Sequence, residues 1–217
     1  EGEDFEKYPK TLEADCALLE GQADVVFAPA ADDMYPDGFQ STVALSRITQ
    51  GLCGAHRPGH FDGVATVVSK LFGIVRPDVA IFGEKDYQQL AVLRQMGRDL
   101  NFDVEIIGAP LVREDDGLAL SARNRYLSAE ERAQALSLSR GLHAAQKAYE
   151  GGEKAADALV ALAQAELQAA GVEAEYLELR HGVSLAPIER VEGPAVLLVA
   201  ARVGTTRLID NVILERA

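Results

Sequence analysis

PDVAIFGEKDYQQLAVLRQM (Pro77–Met96) changes its periodicity partway along. VAIF, rich in β-branched and aromatic side chains, reads as a short buried strand, and YQQLAVLRQM reads as an amphipathic helix. Only Gly83, Glu84, Lys85 and Asp86 separate the two. A strand that turns tightly into a helix is the unit of a parallel sheet, and ligands of such sheets collect beyond the carboxyl ends of the strands. The first free N–H groups of the following helix make that end attractive to anions. Lys85 sits at this electropositive edge, where a cation is uneasy without an anion to neutralise it. One reading is therefore a phosphate site. The plainer alternative has Gly83 turning, Lys85 solvated, and Asp86 capping the helix with Gln89 as its capping-box partner.

The flanks extend the alternation. TLEADCALLEGQ (Thr11–Gln22) has helical spacing, and ADVVFAPA (Ala23–Ala30) reads as a short buried strand. MYPDGF (Met34–Phe39) carries turn chemistry, Pro followed by Asp-Gly. A glycine- and proline-broken loop spans Gly51–Gly59, and the helix FDGVATVVSKLFGIV then runs to Pro77. DVEIIGAPLV (Asp103–Val112) reads as the next strand. Strands alternating with helices imply a parallel sheet with helices on its faces. After Val112 the character changes. SAEE (Ser128–Glu131) is a capping box opening a long alanine-rich helix, and a second helix covers about 155–170. EAEYLELR, AVLLVAARV and TRLIDNVIL follow with short links, which favours an antiparallel sheet. The expected organisation is an α/β domain over 1–111 and a smaller α+β domain over 112–217.

Composition narrows the function classes. With 217 residues, 48% hydrophobic and 25% charged, the chain has an ordinary globular make-up. No apolar run reaches the roughly 18 residues that span a bilayer. A net charge of −13 argues against a general nucleic-acid or membrane-surface binder, either of which needs a basic face. A phosphate ligand must then meet a local basic pocket. Cys16 and Cys53 form no metal or redox spacing, which fits a reducing cytoplasm.

Two more clusters carry polar chemistry. REDDGLALSARNRYL (Arg113–Leu127) sets Arg113, Arg123 and Arg125 beside Ser121 and Asn124 in a loop after the last strand of the parallel sheet. Guanidinium and hydroxyl groups on such a loop suit a triphosphate; a solvated interdomain hinge is the alternative. AHRPGHF offers His56, Arg57 and His60, but Pro58 and Gly59 break any helical face and no third metal ligand stands near. These residues face a carboxylate or are ordinary surface groups. No Walker or GxGxxG loop and no nucleophile–histidine pair is visible, so no metal-ligating residue is assigned.

In order and spacing, YPKT, MYPDG, RPGHFDGV, FGEKDYQQL, DGLALSARNRYLS and the tail LLVAARVGTTRLIDN resemble the bacterial pantothenate synthetase family from about Asp4 onward. The resemblance implies a Rossmann-like nucleotidylyltransferase sheet with a C-terminal α+β lid. It also implies ATP-dependent condensation of (R)-pantoate with β-alanine through pantoyl adenylate, releasing AMP and pyrophosphate. Mg²⁺ on the phosphates, a cytoplasmic location and a homodimer are implied with it. Carried over by position, Gly83, Glu84, Lys85 and Asp86 match the first ATP segment. Val112, Leu120, Ser121, Ala122 and Arg123 match the second. Lys85, Ser121 and Arg123 take the catalytic roles, and Gln89 matches a pantoate-binding glutamine. Arg57 and His60 match a loop on the pantoate side. Family members often carry two serines before the arginine, and Ala122 replaces the second; His181 stands where an acid is frequent.

The family also opens with a strand, a His-x-x-His-type motif and a second strand, which this chain lacks. A doubly wound sheet without its first strands would have open edges and an exposed apolar face. The expectation is thus that the chain is part of a longer protein, which intact-mass measurement tests. The competing expectation is a non-catalytic module that binds nucleotide or dimerises.

Overall fold

The computed structural model describes residues 11–216, which divide into two compact units between Ser41 and Thr42. The first unit holds helices α1 (Leu12–Leu19) and α2 (Ala31–Met34). The Pro36–Phe39 turn forms as expected: the Phe39 N–H donates to the Pro36 carbonyl at 3.0 Å, and Gly38 takes the positive φ of 84° that favours glycine there. ADVVFAPA corrects the sequence reading, since it is neither buried nor a strand. Val25 is 80% exposed, Phe27 51%, and the segment joins no ladder among the described residues. An apolar run states a preference for burial, but a strand exists only where a second backbone pairs with it.

The second unit starts with α3 (Leu52–His56), a short helix inside the segment read as an irregular loop, and α4 (His60–Val75). Arg76 ends α4 in the left-handed conformation, φ 51°, and Pro77 follows, which cannot continue a helix. Strand β1 (Val79–Gly83), helix α5 (Tyr87–Asp99) and strand β2 (Glu105–Ala109) form the βαβ unit that the opening stretch implies. β1 and β2 pair in parallel, Val79 opposite Glu105 and Gly83 opposite Ala109. Phe72 of α4 meets Phe82 and Phe102 edge-on, with ring centroids 6.5 and 5.5 Å away, in the small core between this pair and its helices.

Helices α6 (Ala129–Glu150) and α7 (Ala156–Ala169) precede the antiparallel sheet β3 (Ala174–His181), β4 (Ala195–Val203) and β5 (Thr206–Glu215). The Ser128–Glu131 capping box forms reciprocally, each backbone N–H donating to the other's side chain, at 2.8 and 3.2 Å. β4 is central, and its continuous run AVLLVAARV follows from burial on both faces. Alternate side chains point oppositely along a strand. Leu197, Val199, Ala201 and Val203 enter the core with α6 and α7, whereas Val196 and Leu198 join Ala91 and Val92 of α5 and Leu52 of α3. That second face holds the antiparallel sheet against the βαβ unit and brings β5 beside the β1–α5 junction.

Candidate functional site

Between β1 and α5 the chain makes one 3₁₀ turn, Glu84–Asp86. The expected cap does not form there. Asp86 has φ −89° and ψ 57°, away from the extended backbone that aims an N-cap side chain at the following N–H groups, and it makes no capping hydrogen bond. The turn carries Lys85 differently from the solvated alternative. Burial pulls the ammonium below the ordinary lysine range; the neighbouring Arg123 cation pulls it further, against Asp86 and Asp210, which favour the charged form. Among the described residues Lys85 has no hydrogen-bond partner for its ammonium. Two cations thus converge on one place, one of them half-buried and partly desolvated. Such a place is completed by an anion.

The second segment closes on itself. The Leu120 N–H donates to the Val112 carbonyl at 2.9 Å, and Arg113 bridges to Ala119, so the expected residues Val112 and Leu120–Arg123 form one hairpin-like strap. A tight turn at Glu114–Gly117 makes the reversal, with Gly117 at φ 94°. Ser121 opens a 3₁₀ turn, Ala122–Tyr126, and accepts from the Arg123 N–H at 3.2 Å. Buried Asn124 donates to the Ala119 carbonyl at 3.0 Å and to Glu114 at 2.5 Å. Arg132 of α6 binds both Glu114 and Asp116. These hydrogen bonds, from Asn124 first and then Arg132, hold the Glu114 carboxyl below the usual range.

Both segments rest on β5, and sequence reasoning missed the residues that tie them there. Asn211, 5% exposed, donates from Nδ2 to the carbonyls of Glu84 at 2.9 Å and Lys85 at 3.0 Å. Asp210 receives both arms of Arg113, at 2.7 and 3.0 Å. Burial pushes the Asp210 carboxyl up, opposed by Arg113, the Asn211 N–H and Lys85. Glu84 is buried, and its carboxylate takes both arms of Arg216, at 2.7 and 3.2 Å. The only signal for these partners was the polar pair Asp210–Asn211 interrupting an apolar strand pattern.

Gly83 leaves the end of β1 open, with nothing within 4 Å of where a Cβ would stand. Gln89, in the first turn of α5, is half-buried, while its neighbour Gln88 points inward and donates to the Ile48 and Gly51 carbonyls at 3.2 and 3.3 Å. Arg57 and His60 are brought together, Nη1 to Nε2 at 2.9 Å. Arg57 also lines an open cleft of about 390 Å³ with Leu45, Thr49 and Asp62. Lys85, Gln89, Ser121 and Arg123 do not line it. Among the described residues no group of three or more His, Cys, Asp or Glu side chains could hold a metal ion, and no helix is long and apolar enough to cross a membrane.

The pantoate-beta-alanine ligase family model matches residues 1–213. The pantothenate synthetase of Trichlorobacter lovleyi is 54% identical over 214 residues, covering 98% of this chain and 76% of that protein. That of Pseudomonas entomophila is 54% identical over 217 residues, covering 99% and 76%. The crystal structure of pantothenate synthetase from Thermus thermophilus superposes with a TM-score of 0.94 at 46% identity, over 99% of this chain and 78% of that one. Pantoate-beta-alanine ligase from Francisella tularensis, complexed with beta-gamma ATP and beta-alanine, gives a TM-score of 0.76 at 30% identity, over 99% and 74%.

Proposed function

Because the chain belongs to the pantoate-beta-alanine ligase family, we propose that it joins pantoate to β-alanine at the expense of ATP, with the Lys85–Arg123 locus receiving the phosphates. The observation that carries the assignment of the site is the half-buried Lys85 ammonium, unbonded and beside a second cation. In the first step the pantoate carboxylate attacks the α-phosphorus of ATP and pyrophosphate leaves. The β-alanine amine then attacks the acyl carbon of the mixed anhydride, and AMP leaves with the carboxylate oxygen. Displacement at phosphorus asks the protein mainly for alignment and neutralisation of the oxygens that gain charge.

Within this reading, Lys85 and Arg123 hold phosphate oxygens by charge, and Ser121 Oγ and the backbone from Gly83 to Asp86 add hydrogen bonds. The hydroxyl of Ser121 still has its proton to give, since it only accepts from the Arg123 N–H. Ala122 contributes only its backbone, and Val112 and Leu120 shape the strap. Gln89, its amide half-buried at the mouth of α5, holds pantoate. Arg57, which lines a separate cleft, and His60, which contacts it, form the pantoate-side loop. Mg²⁺ would be held chiefly by the phosphates, with exposed Asp86 as the carboxylate that would join them; a magnesium ion commonly uses one or two carboxylates plus substrate oxygens. When bound it would supply charge neutralisation on the phosphate oxygens.

Residues 112–217 act as the lid domain. A homodimer and a cytoplasmic location complete the proposal, the first supported by exposed Ile74 and Val75 at the end of α4. Release of AMP and pyrophosphate that requires ATP and pantoate, with pantothenate formed once β-alanine is added, tests the reading. ATP binding without any pantoate-dependent pyrophosphate release would sink it in favour of a non-catalytic nucleotide-binding module.

A further inference from the structure

The turn that presents Lys85 is only three residues long, and a 3₁₀ turn of that length has little stiffness of its own. Its position is set by β5, from 126 positions further along the chain. One amide, Asn211 Nδ2, spends both of its protons on consecutive carbonyls of the turn, those of Glu84 and Lys85. Arg216, just past the end of the same strand, grips the Glu84 side chain with both arms. The preceding residue, Asp210, takes both arms of Arg113 and so holds the strap that ends in Ser121 and Arg123. The two segments that bring cations together are therefore registered against each other by one dipeptide.

We propose that Asn211 is a positioning residue for adenylate formation: by clamping the Glu84 and Lys85 carbonyls to β5 it sets where the Lys85 ammonium stands relative to Arg123. The role rests on the reading of Lys85 as a phosphate ligand. Asn211 touches no reacting atom. Its loss lets the turn shift while leaving the Lys85 side chain present, and misplacement by about 1 Å can cost about 100-fold in rate. The second half-reaction, amide formation from a finished adenylate, has no triphosphate to align and is less exposed to that shift.

The test compares Asn211→Leu, Asn211→Ser and Lys85→Gln in the purified enzyme, normalised to folded protein by circular dichroism. Pantoate-dependent exchange of pyrophosphate into ATP reads the first step. Pantothenate formation from supplied pantoyl adenylate and β-alanine reads the second. Asn211→Leu is expected to lower kcat for exchange by about 10- to 100-fold, with the second step and the KM for β-alanine unchanged. Asn211→Ser, which keeps one donor, is expected to fall between Leu and wild type, and it carries the test if the Leu variant does not fold. Equal losses in both steps would mark a merely structural residue and overturn the proposal. Exchange that survives both Asn211 variants but not Lys85→Gln would overturn it alone, whereas exchange that survives Lys85→Gln would overturn the phosphate reading beneath it.

Discussion

Arg113 forks onto Asp210, with Nη1 on Oδ2 at 2.7 Å and Nη2 on Oδ1 at 3.0 Å, across 97 positions of sequence. Only 2% of the Asp210 side chain is exposed, against 21% of Arg113, so the pair is mostly desolvated. Deleting one member strands the other. Asp210→Ala is expected to cost about 3 kcal/mol, the low end of values for breaking a buried pair because Arg113 keeps some water. Urea unfolding measures it. A cost under about 0.5 kcal/mol would place the pair with ordinary surface ion pairs instead.

Lys85 yields a prediction with a sign in pH. Its pKa lies below the ordinary 10.5, first through burial and then through Arg123. The basic limb of kcat/KM for ATP, which reports the free enzyme, should therefore begin below that value. Asp210→Asn removes a negative charge that favours the ammonium, so the limb should move lower still. Lys85→Gln should abolish the limb and lower adenylate formation by about 100-fold or more, the scale for losing one preorganised charge-stabilising group. Linkage gives a second readout. Between the folded pKa and 10.5 the unfolded chain binds more protons, so this group makes stability rise with pH across that window. Saturating ATP, by restoring the charged form, should flatten the rise. A basic limb that ignores Asp210→Asn would show that another group titrates.

The parts legible in the sequence were those governed by local rules. The VAIF strand, the helices on either side, the Ser128–Glu131 capping box and the three antiparallel strands all announce themselves by period or by residues three or four apart. The Lys85–Arg123 locus was legible as two separate cationic segments. Their proximity was not, because it depends on β5 pairing with β4 and on Asn211 and Asp210 reaching back 97 to 127 positions. ADVVFAPA misleads for a related reason: its hydrophobicity is plain, but a ladder needs a partner that no local pattern can supply. Asp86 misleads because its spacing to Gln89 fits a capping box while the 3₁₀ turn that ends at Asp86 leaves it with the wrong backbone angles.

Gly108, on β2 beside the site, has no room for a side chain. A Cβ there would stand 2.8 Å from Leu90 Cδ2 and 3.0 Å from Glu84 Cγ. Both neighbours are buried, and Glu84 is further held by Arg216. Gly108→Ala is expected to destabilise by about 1–3 kcal/mol, the range for overpacking. Because the displaced group is the residue before Lys85, the KM for ATP should rise as well. Thermal unfolding together with ATP kinetics reads both, and a stable variant with unchanged KM would mean that Glu84 moves freely.

Gly141 sets two familiar effects against each other. It lies in the interior of α6, where alanine is a better helix former by about 1 kcal/mol. A Cβ at this position would meet the Ala163 carbonyl oxygen at 2.7 Å, Ala163 Cα at 3.1 Å and Leu167 Cδ1 at 3.2 Å. Two of those atoms are backbone of α7, so relief requires the helices to separate along the core that also holds Leu138, Leu142 and Leu159. Overpacking of that kind costs about 1–3 kcal/mol and offsets or exceeds the gain in propensity; with backbone atoms as the obstacle, Gly141→Ala is expected to destabilise by up to about 2 kcal/mol net. Gly63, in α4, has nothing within 4 Å of its would-be Cβ. There the propensity term acts alone, and Gly63→Ala should stabilise by about 0.5–1 kcal/mol. Denaturant midpoints of the two variants should therefore move in opposite directions from wild type; a shift of Gly141→Ala to higher denaturant would show that the α6–α7 contact is not close-packed.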